Sequence, residues 1–366
     1  MKVICTQENL KNGLLVVGRI ISSSNTLPIL NNILIKTENG LLKLSSTNLE
    51  IGITTHIRCK IEEEGSVTVM CKTITDLVNN LPSQNIHIET QAGQIKIETE
   101  NYHTTVKTLP PEDFPLIPTV ETGEILTLDA QELKKSLDQV GFAVSTNQTQ
   151  AEISGVLLAV DKSVLRIAAT DRYRLAEKKL VFKKPFGTER QVIVPHKTIL
   201  EISRIIGSQK GDVEIGFSET QIAARFNDTE IVSRLIDGEY PPYQQIIPSE
   251  FNTQVVTLKQ PFINALRASG IFSQATHSVR FEYEEGGQKL VLATESSELG
   301  KSDVELSSKV SGKSGAVMLN YNYVLDCLNS MDTEKVVLKI VDDSTASLIT
   351  PEGQNDYLYL VMPIKG

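Results

Sequence analysis

Two Gly-Lys-Ser segments contain residue types that could do chemistry, because glycine followed by lysine and serine occurs in phosphate-binding loops. The segments are Gly300-Lys301-Ser302 and Gly312-Lys313-Ser314. A phosphate-binding loop also needs a glycine five positions before the glycine of this triplet. Those positions hold Glu295 and Ser307, so neither segment has the glycine-rich turn that wraps a phosphate.

Other patterns typical of catalysis also lack an essential residue. Gly312-Lys313-Ser314 could begin a nucleophile elbow, but the glycine required two positions after the serine is replaced by Ala316. The acidic runs Glu62-Glu63-Glu64 and Glu284-Glu285 are typical of solvated turns, and no histidine has a distinctive partner spacing. The four cysteines form no CxxC pair and are Cys5, Cys59, Cys71 and Cys327. We expect no catalytic residue, no metal, no cofactor, and isolated reduced thiols.

Length and composition favour a soluble protein of two or three domains. The chain has 366 residues, of which 40% are hydrophobic and 22% charged. It contains no apolar run long enough for a membrane helix or a signal peptide, so we expect it in the cytoplasm. A net charge of −9 argues against binding nucleic acid by overall basicity, although positive charge on a single inner face remains open. Because only 5% of residues are aromatic, a stacking platform for single strands is not expected.

The strongest pattern is an internal similarity between three segments of the chain. Their openings are CTQENLKNGLLVVGRI, LDAQELKKSLDQVGFA and LKQPFINALRASGIF. In the second opening, Leu133, Leu137 and Val140 fall on one helical face, which predicts an amphipathic helix. Each opening leads to alternating strands that end in a related phrase: LKLSSTNLE, LRIAATDRYRL and LVLATESSEL.

A second amphipathic helix is predicted in each copy, after a short strand. The three segments are VTVMCKTITDLVNNL, QVIVPHKTILEISRII and GAVMLNYNYVLDCLNSM. Their apolar residues recur at the spacing of one helical face. These residues are Ile74, Leu77, Val78 and Leu81, then Ile199, Ile202 and Ile206, then Val324, Leu328 and Met331.

Each copy closes with strands in which apolar and polar residues alternate, which predicts antiparallel sheet with one buried face. The alternating residues include Ile86, Ile88, Ile95 and Ile97 in the first copy, Val213 and Ile215 in the second, and Val336, Leu338 and Ile340 in the third. We therefore predict an α+β fold of three repeated domains, each with two helices packed on antiparallel sheet. The predicted domains are residues 1–120, 121–250 and 251–366. The alternative is a single irregular α+β protein with chance similarity between its segments.

Several motifs follow one another in a fixed order along the chain. They are Asn25-Thr26-Leu27-Pro28-Ile29-Leu30, Phe114-Pro115, Thr170-Asp171-Arg172-Tyr173-Arg174-Leu175-Ala176, Val192-Ile193-Val194-Pro195, Asp237-Gly238-Glu239-Tyr240-Pro241-Pro242-Tyr243 and Val361-Met362-Pro363. With these motifs the whole chain resembles the bacterial DNA polymerase III beta subunits, the beta sliding clamps. The resemblance implies a non-enzymatic processivity factor. Two chains would form a head-to-tail ring of six domains around duplex DNA.

A ring that slides on DNA needs phosphate contacts that carry no sequence information. The resemblance implies that helices line the central hole, so basic residues in or beside the predicted helices are candidates to face DNA. These candidates are Lys11, Arg19, Lys72, Lys134, Lys135, Lys197, Arg204 and Arg267. Each could equally be an ordinary exposed helix charge.

The resemblance also implies a pocket, between the second and third domains, that captures short apolar-aromatic peptides of partner proteins. The expected partners are the polymerase catalytic subunit, the ATP-dependent clamp loader and other replication and repair proteins. Carried over by motif, the pocket residues are Ile153, Thr170, Arg172, Tyr173, Arg174, Leu175, Pro241, Gln245, Ile246, Leu360, Met362, Pro363, Ile364 and Lys365. Simple core packing is the alternative role for Leu175, Ile246 and Leu360.

The subunit interface implied by the resemblance joins the first domain of one chain to the third domain of its mate. Its candidate residues are Leu77, Leu81 and Val106, facing Ile271 and Phe272. Leu77 and Leu81 could equally belong to the domain core.

The chain departs from the family pattern at several of these sites. Tyr173 replaces a usual histidine and Arg172 a common glycine, while Gln245 replaces a frequent arginine at the pocket rim. Ser24 replaces a basic residue in a loop that often touches DNA, and Thr104 replaces a frequent interface aromatic. Pocket selectivity and the strength of DNA contact are therefore less determined than the fold.

Two other classes of protein remain possible from the sequence alone. One is an enzyme that uses acidic residues for metal-dependent phosphodiester chemistry, which a magnesium-dependent nuclease assay would reveal. The other is a monomeric adaptor with repeated domains and no role on DNA, which sedimentation would reveal.

Overall fold

The structure is a computed structural model that describes residues 1–21, 27–120, 123–147, 149–182, 185–273 and 277–364. Within these residues the helices and strands recur in the same order three times, as the sequence repeats predict. The first copy comprises β1 Lys2–Thr6, α1 Gln7–Val17, β2 Asn32–Glu38, β3 Leu41–Thr47, β4 Ile51–Arg58, β5 Lys60–Glu63, β6 Ser66–Met70, α2 Cys71–Asn80, β7 Asn85–Gln91, β8 Gln94–Glu98 and β9 His103–Leu109.

The second and third copies repeat this order, with a single strand in place of β4 and β5. The second comprises β10 Ile125–Asp129, α3 Ala130–Gly141, β11 Gly155–Asp161, β12 Val164–Thr170, β13 Arg174–Val181, β14 Arg190–Pro195, α4 His196–Ile206, β15 Asp212–Phe217, β16 Gln221–Phe226 and β17 Thr229–Arg234. The third comprises β18 Thr253–Leu258, α5 Lys259–Gly270, β19 Ser278–Tyr283, β20 Lys289–Ser296, β21 Gly300–Gly312, β22 Gly315–Asn320, α6 Tyr321–Ser330, β23 Lys335–Ile340, β24 Ser347–Pro351 and β25 Tyr357–Val361.

The chain divides into two compact units, because the middle copy contributes strands to two different sheets. The first unit is Met1–Gln131 with Leu200–Leu235, and the second is Glu132–Ile199 with Ile236–Gly366. The strands β10, β15, β16 and β17 of the middle copy belong to the first sheet, whereas β11 to β14 belong to the second. The units therefore follow the sheets and not the sequence repeats.

The first unit is built on a 13-stranded sheet in the order β10-β15-β16-β17-β4-β3-β2-β6-β9-β8-β7-β1-β5. Helix α1 begins where the Thr6 hydroxyl accepts a hydrogen bond from the backbone N–H of Asn9 at 3.2 Å, which satisfies a free donor of the first turn. Its apolar face buries Leu10, Leu14 and Val17 against β3, β4 and α2. The helix predicted at the opening of the first copy, from its similarity to the second, is therefore confirmed.

The second unit is built on a 12-stranded sheet in the order β14-β11-β12-β13-β25-β24-β23-β18-β21-β20-β19-β22. Helix α5 packs on β20, β21 and α6, and α6 begins at Asn320, whose side chain accepts from two backbone N–H groups of the first turn. The segment Gly300-Lys301-Ser302 lies within β21 and Gly312 ends that strand. Because the chain continues into β22 and not into a helix, neither Gly-Lys-Ser segment has the strand-to-helix setting of a phosphate-binding loop.

Each sheet passes from one copy to the next through an antiparallel strand pair. In the first unit β17 pairs with β4, and Ser233 lies opposite Ile51. In the second unit β25 pairs with β13, and Val361 lies opposite Arg174. In both pairs a closing strand, β17 or β25, joins the strand that follows a repeated threonine phrase, β4 or β13. The register is equivalent, because Ile51 and Arg174 each come four residues after the repeated threonine. We call these two strand pairs the inter-copy joints.

The predicted apolar faces are the core of the structure. The alternating isoleucines of β7 and β8 are at most 1% exposed, and the helix positions Leu133, Ile199 and Val324 are at most 2% exposed. Among the described helices none is long and apolar enough to cross a membrane.

Candidate functional site

A tight turn after β12 forms one wall of the candidate site. The hydroxyl of Thr170 donates to the carbonyl of Arg174 at 2.6 Å and accepts from the N–H of Arg172 at 3.1 Å. The carboxylate of Asp171 accepts from the N–H groups of Tyr173 and Arg174, both at 3.0 Å. These side-chain acceptors satisfy the backbone donors of the turn and fix its shape.

The backbone of Arg172 in this turn has a conformation that glycine adopts more readily than a larger residue. Arg172 has a φ of +79°, and Leu49 in the corresponding turn of the first copy has a φ of +74°. Both angles lie in the left-handed region that favours glycine. The two turns share their hydrogen bonds as well, because Thr47 and Asn48 hold the first turn as Thr170 and Asp171 hold the second.

Arg174 anchors the turn to α6 and is a structural centre of the site. Its guanidinium donates to Asp171 at 2.9 Å, to Asp326 at 2.6 Å and to the carbonyl of Phe142 at 2.9 Å. It also lies 4.4 Å from the ring centroid of Tyr323, a cation–π distance. Its side chain is only 12% exposed, so Arg174 positions the wall and presents little surface to a ligand.

The second wall is the connector between the second and third copies, residues 236–247, which we call the second connector. Tyr243 points into a buried cluster that includes Leu157, Leu175 and Leu360. Its hydroxyl donates to the buried carboxylate of Glu177 at 2.5 Å. Burial, reinforced by this carboxylate, raises the pKa of Tyr243 well above its usual range, so the hydroxyl stays a donor at neutral pH.

A pocket of about 440 Å³ lies between the turn and the second connector. This size suits the anchor side chains of a short peptide. Six of the predicted pocket residues line it, and they are Ile153, Thr170, Arg172, Pro241, Gln245 and Ile246. The lining also includes five residues that were not predicted to belong to the pocket, and they are Gln150, Glu152, Glu239, Pro242 and Tyr243.

Among the described residues, the other predicted pocket residues do not line this pocket. Leu175 and Leu360 are opposite one another in the joint of β13 and β25, and both are buried in the cluster that holds Tyr243. Their position agrees with the core-packing alternative. Arg174 reaches toward α6 as described above, and Tyr173 is 63% exposed at the tip of the turn.

The chain end after β25 is tied to the same turn. The N–H of Met362 donates to the carbonyl of Tyr173 at 2.8 Å, and the N–H of Ile364 donates to the carbonyl of Met318 at 2.8 Å. Met362 is 38% exposed, while Pro363 and Ile364 are half-buried. The last predicted pocket residue, Lys365, lies outside the described residues, as does Ser24.

A second groove lies under the connector between the first and second copies, residues 110–119, which we call the first connector. The groove has a volume of about 530 Å³. Its walls carry several ionisable groups, among them Lys36, Lys43, His56, Glu112 and Glu230. Lys36, Lys43 and His56 all lie within 4.0 Å of the carboxylate of Glu38. The hydrogen bond from Lys43 lowers the pKa of Glu38, so this wall remains an ion-pair network at neutral pH.

The candidate DNA-facing residues are all in helices or in the 3-10 turn after α1. Lys134 pairs with Asp138, Lys135 with Asp332 at 3.2 Å and Arg204 with Glu201 at 2.6 Å. Within the described part of the chain, the other five make no ion pair, and they are Lys11, Arg19, Lys72, Lys197 and Arg267. Helix α6 carries no basic residue, and its Asp326 is used by Arg174.

The candidate interface residues differ in their exposure. Leu81 is 6% exposed and belongs to the core of the first unit, whereas Leu77 and Val106 are half-buried. Ile271 is 57% exposed, next to the half-buried Phe272. Strand β9, which carries Val106, pairs with β8 along residues 103–107 and with β6 only at its last two residues.

Three family models match successive parts of the chain. The N-terminal domain of the DNA polymerase III beta subunit matches residues 1–118, the central domain residues 127–242 and the C-terminal domain residues 244–365. The beta sliding clamp of Synechocystis sp. is 29% identical, over 100% of this chain and 99% of its own. That of Pseudomonas aeruginosa is 29% identical over 98% of each chain.

Solved structures of such proteins have the same fold. The Pseudomonas aeruginosa sliding clamp, bound to griselimycin, superposes with a TM-score of 0.96 at 27% identity over the full length of both chains. The DNA polymerase III beta subunit of Thermotoga maritima superposes with a TM-score of 0.92 at 25% identity, over 100% of this chain and 99% of that one. The predicted α+β fold of three repeated clamp domains is therefore confirmed, whereas the precise domain boundaries stay a prediction.

Proposed function

The chain belongs to the DNA polymerase III beta subunit family, and we propose that two copies of it close into a ring around duplex DNA and hold partner proteins there through the pocket beside Thr170. Its function is that of a DNA sliding clamp, a non-enzymatic processivity factor. The proposed partners are the polymerase catalytic subunit, a clamp loader and other proteins that carry a short apolar-aromatic motif. We propose that it works in the cytoplasm.

The inter-copy joints support the head-to-tail ring. Each joint pairs a closing strand, β17 or β25, with the strand after a repeated threonine phrase, β4 or β13. The remaining strands of these two kinds are β9 and β21. A third joint of the same type, between β9 of one chain and β21 of its mate, would close two chains into a ring. Val106 of β9 would then lie in the new joint, within reach of Ile271 and Phe272.

Sedimentation tests the ring without DNA. One chain has a mass of 40.4 kDa. The wild-type protein should sediment as a species of twice that mass. Val106→Glu should shift it toward a single chain, because a charge in the middle of β9 would be buried without a partner. Thr105→Glu changes the next residue of the same strand, which is exposed, and it is the matched control. An unshifted Val106→Glu variant would exclude this joint.

The five unpaired cations support non-specific contact with phosphates. Lys11, Arg19, Lys72, Lys197 and Arg267 would each release a counterion when they approach DNA, which makes affinity depend on salt. Neutralising four of them should reduce the slope of log affinity against log salt by about 0.9 for every phosphate that the protein no longer neutralises.

A matched control for this test neutralises four lysines that already pair with carboxylates on strands. Suitable residues are Lys60, Lys96, Lys289 and Lys301, whose partners are Glu62, Glu98, Glu305 and Asp303. The control variant loses as much positive charge as the test variant. Equal slopes for the two variants would refute the assignment of the helix cations.

The observation that carries the peptide-binding proposal is the pocket of about 440 Å³. Side-chain hydrogen bonds outside the cavity hold its two walls in place. Thr170, Asp171 and Arg174 fix the turn, while Tyr243 fixes the second connector through Glu177. The exposed apolar groups of the lining are Pro241, Pro242 and Ile246. A preformed apolar cleft binds a short peptide with a smaller ordering cost than a mobile one.

Retention on DNA tests the topological part of the proposal. After loading by a clamp loader with ATP, the protein should remain on circular DNA and leave the same DNA once it is linearised. A protein that grips DNA chemically would be retained equally on both forms. Equal retention would therefore contradict the sliding ring while leaving the fold unaffected.

A further inference from the structure

Two of the four cysteines lie on neighbouring segments of the first unit, Cys5 in β1 and Cys59 in the one-residue break between β4 and β5. Strand β1 pairs with β5 in antiparallel register, and Val3 lies opposite Ile61 and Ile4 opposite Lys60. One further step in the same register brings Cys5 opposite Cys59. The sequence gives no sign of this, because the two cysteines are far apart along the chain.

The third copy supports this register independently. There β18 pairs with β21, and Val256 lies opposite Lys309 and Thr257 opposite Ser308. Thr257 stands two residues before α5 as Cys5 stands two residues before α1. The pair Thr257 and Ser308 is therefore the equivalent of Cys5 and Cys59, and it is a direct cross-strand pair in the sheet.

The geometry of facing residues suits a disulfide bond. Cα atoms of directly opposed residues in antiparallel sheet lie about 4.5 to 5.5 Å apart, within the range of about 4.4 to 6.8 Å that disulfides need. Burial, together with the charge of a nearby Cys59 thiolate, raises the pKa of Cys5 to about 12. That electrostatic influence is a second sign that the two sulfur atoms are close.

We propose that Cys5 and Cys59 form a dithiol that closes to a disulfide when the chain meets a small-molecule disulfide. Cys59 is half-buried and Cys5 is buried, so Cys59 reacts first. Its thiolate attacks one sulfur of the small disulfide, forms a mixed disulfide and releases one small thiolate. The thiolate of Cys5 then attacks Sγ of Cys59 and displaces the second small thiolate. Two protein thiols are oxidised, and one small disulfide is reduced to two thiols.

The bond would link the end of β1, just before α1, covalently to the break between β4 and β5. This break separates the strand of an inter-copy joint, β4, from the edge strand β5. The remaining cysteines, Cys71 and Cys327, lie in α2 and α6. The oxidised form would thus have one internal cross-link confined to the first copy.

The test equilibrates the full chain with oxidised glutathione, blocks the remaining thiols and counts them after denaturation. We expect the thiol count to fall from four to two, independently of protein concentration because the bond is intramolecular. Peptide mapping without reduction should recover one cross-linked pair that contains Cys5 and Cys59.

Two variants serve as controls. Cys59→Ser introduces the residue that the third copy has at this position, and it should keep all three of its thiols. Cys71→Ser should still lose two thiols. Four thiols that persist in the folded wild-type chain, a stable mixed disulfide on Cys59, or a cross-link to another cysteine would each overturn the proposal. The mapping of the unaltered chain decides the matter even where a variant fails to fold.

Discussion

The two connectors between copies cover equivalent joints but leave different cavities. Beside the first joint, Gly52 leaves room for Ile117 of the first connector, since a Cβ added to Gly52 would come within 2.7 Å of that side chain. Beside the second joint, the corresponding position is Leu175, which packs with Tyr243 of the second connector. Identical hydrogen-bonded turns thus precede a glycine in one joint and a leucine in the other.

This difference determines what surrounds each cavity. The groove under the first connector is walled by an ion-pair network around Glu38, whereas the pocket beside the second connector has apolar walls at Ile153, Pro241 and Ile246. An apolar pocket gains free energy when it buries an apolar side chain, but salt-bridged walls must first be desolvated. A repeated backbone can therefore carry an apolar pocket in one place and a groove walled by ion pairs in another.

The largest expected effect is on Arg174, which has no charged counterpart in the first turn, where the equivalent residue is Ile51. Arg174→Ala removes the guanidinium donors to Asp171, Asp326 and the carbonyl of Phe142, although Asp171 keeps its two backbone donors. The side chains of Arg174 and Asp171 are only 12% and 15% exposed, so the loss should approach the lower end of the cost of breaking a buried pair, about 3 kcal/mol of unfolding free energy in denaturant titration. Arg280→Ala removes an exposed pair with Glu282 and should cost less than about 1 kcal/mol. Equal losses would mean that Arg174 is not a structural centre.

Gly52→Leu tests whether the first connector can pack on the joint only when residue 52 has no side chain. The new side chain would overlap Ile117, and overpacking of this kind costs about 1 to 3 kcal/mol. The midpoint of thermal unfolding should fall accordingly. Gly123→Leu is the control, because a Cβ at Gly123 has open space, and it should change stability by less than about 0.5 kcal/mol. An unchanged midpoint for Gly52→Leu would show that the two joints are interchangeable.

Ile246→Ala tests the apolar mouth of the pocket. The side chain is 53% exposed, so the fold should remain intact. Binding of a fluorescent peptide with an apolar-aromatic motif should weaken about tenfold, or ~1.4 kcal/mol. Leu116→Ala truncates a 97% exposed side chain of the first connector and should leave the dissociation constant unchanged. If both variants weakened binding equally, the peptide would not bind preferentially at the pocket beside the second connector.

The smallest expected effect concerns what the two turns share. Arg172→Gly and Leu49→Gly each replace a larger residue that has a left-handed backbone conformation with glycine, which adopts that conformation without strain. The greater flexibility of glycine in the unfolded chain offsets part of this gain in stability. Each should stabilise the protein by about 0.5 to 1 kcal/mol in denaturant titration. Tyr173→Gly, next to the strained residue, should instead destabilise it. A gain at only one turn would show that the turns are not equivalent.

Much of the fold could be predicted from the sequence, because helix and strand periodicities recur three times. The buried faces of α1, α3, α4 and the closing strands follow directly from these patterns. The sharing of the middle copy between two sheets could not be predicted, since strand pairing between distant segments leaves no periodic signal. The separation of β4 from β5 at Cys59 is likewise a tertiary feature.

The candidate site was predicted in part. Thr170, Arg172 and Ile246 line the pocket, but Leu175 and Leu360 are core, because a motif identifies a position and not the direction of its side chain. Tyr243 could have been recognised from its place in the Tyr-Pro-Pro-Tyr motif. The role of Glu152 and Glu239 could not, because surface carboxylates are frequent and their neighbours depend on the folded chain.

The inter-copy joints are made of main-chain hydrogen bonds, which every residue except proline can donate. Substitutions along these strands can therefore keep the main-chain bonds, whereas positions whose side chains also meet a connector or a helix, such as Gly52 and Arg174, stay constrained. The Pseudomonas aeruginosa sliding clamp superposes on this chain with a TM-score of 0.96 although the two share only 27% of their residues. Because main-chain hydrogen bonds hold the joints, side chains that contact partner proteins can change without loss of the architecture.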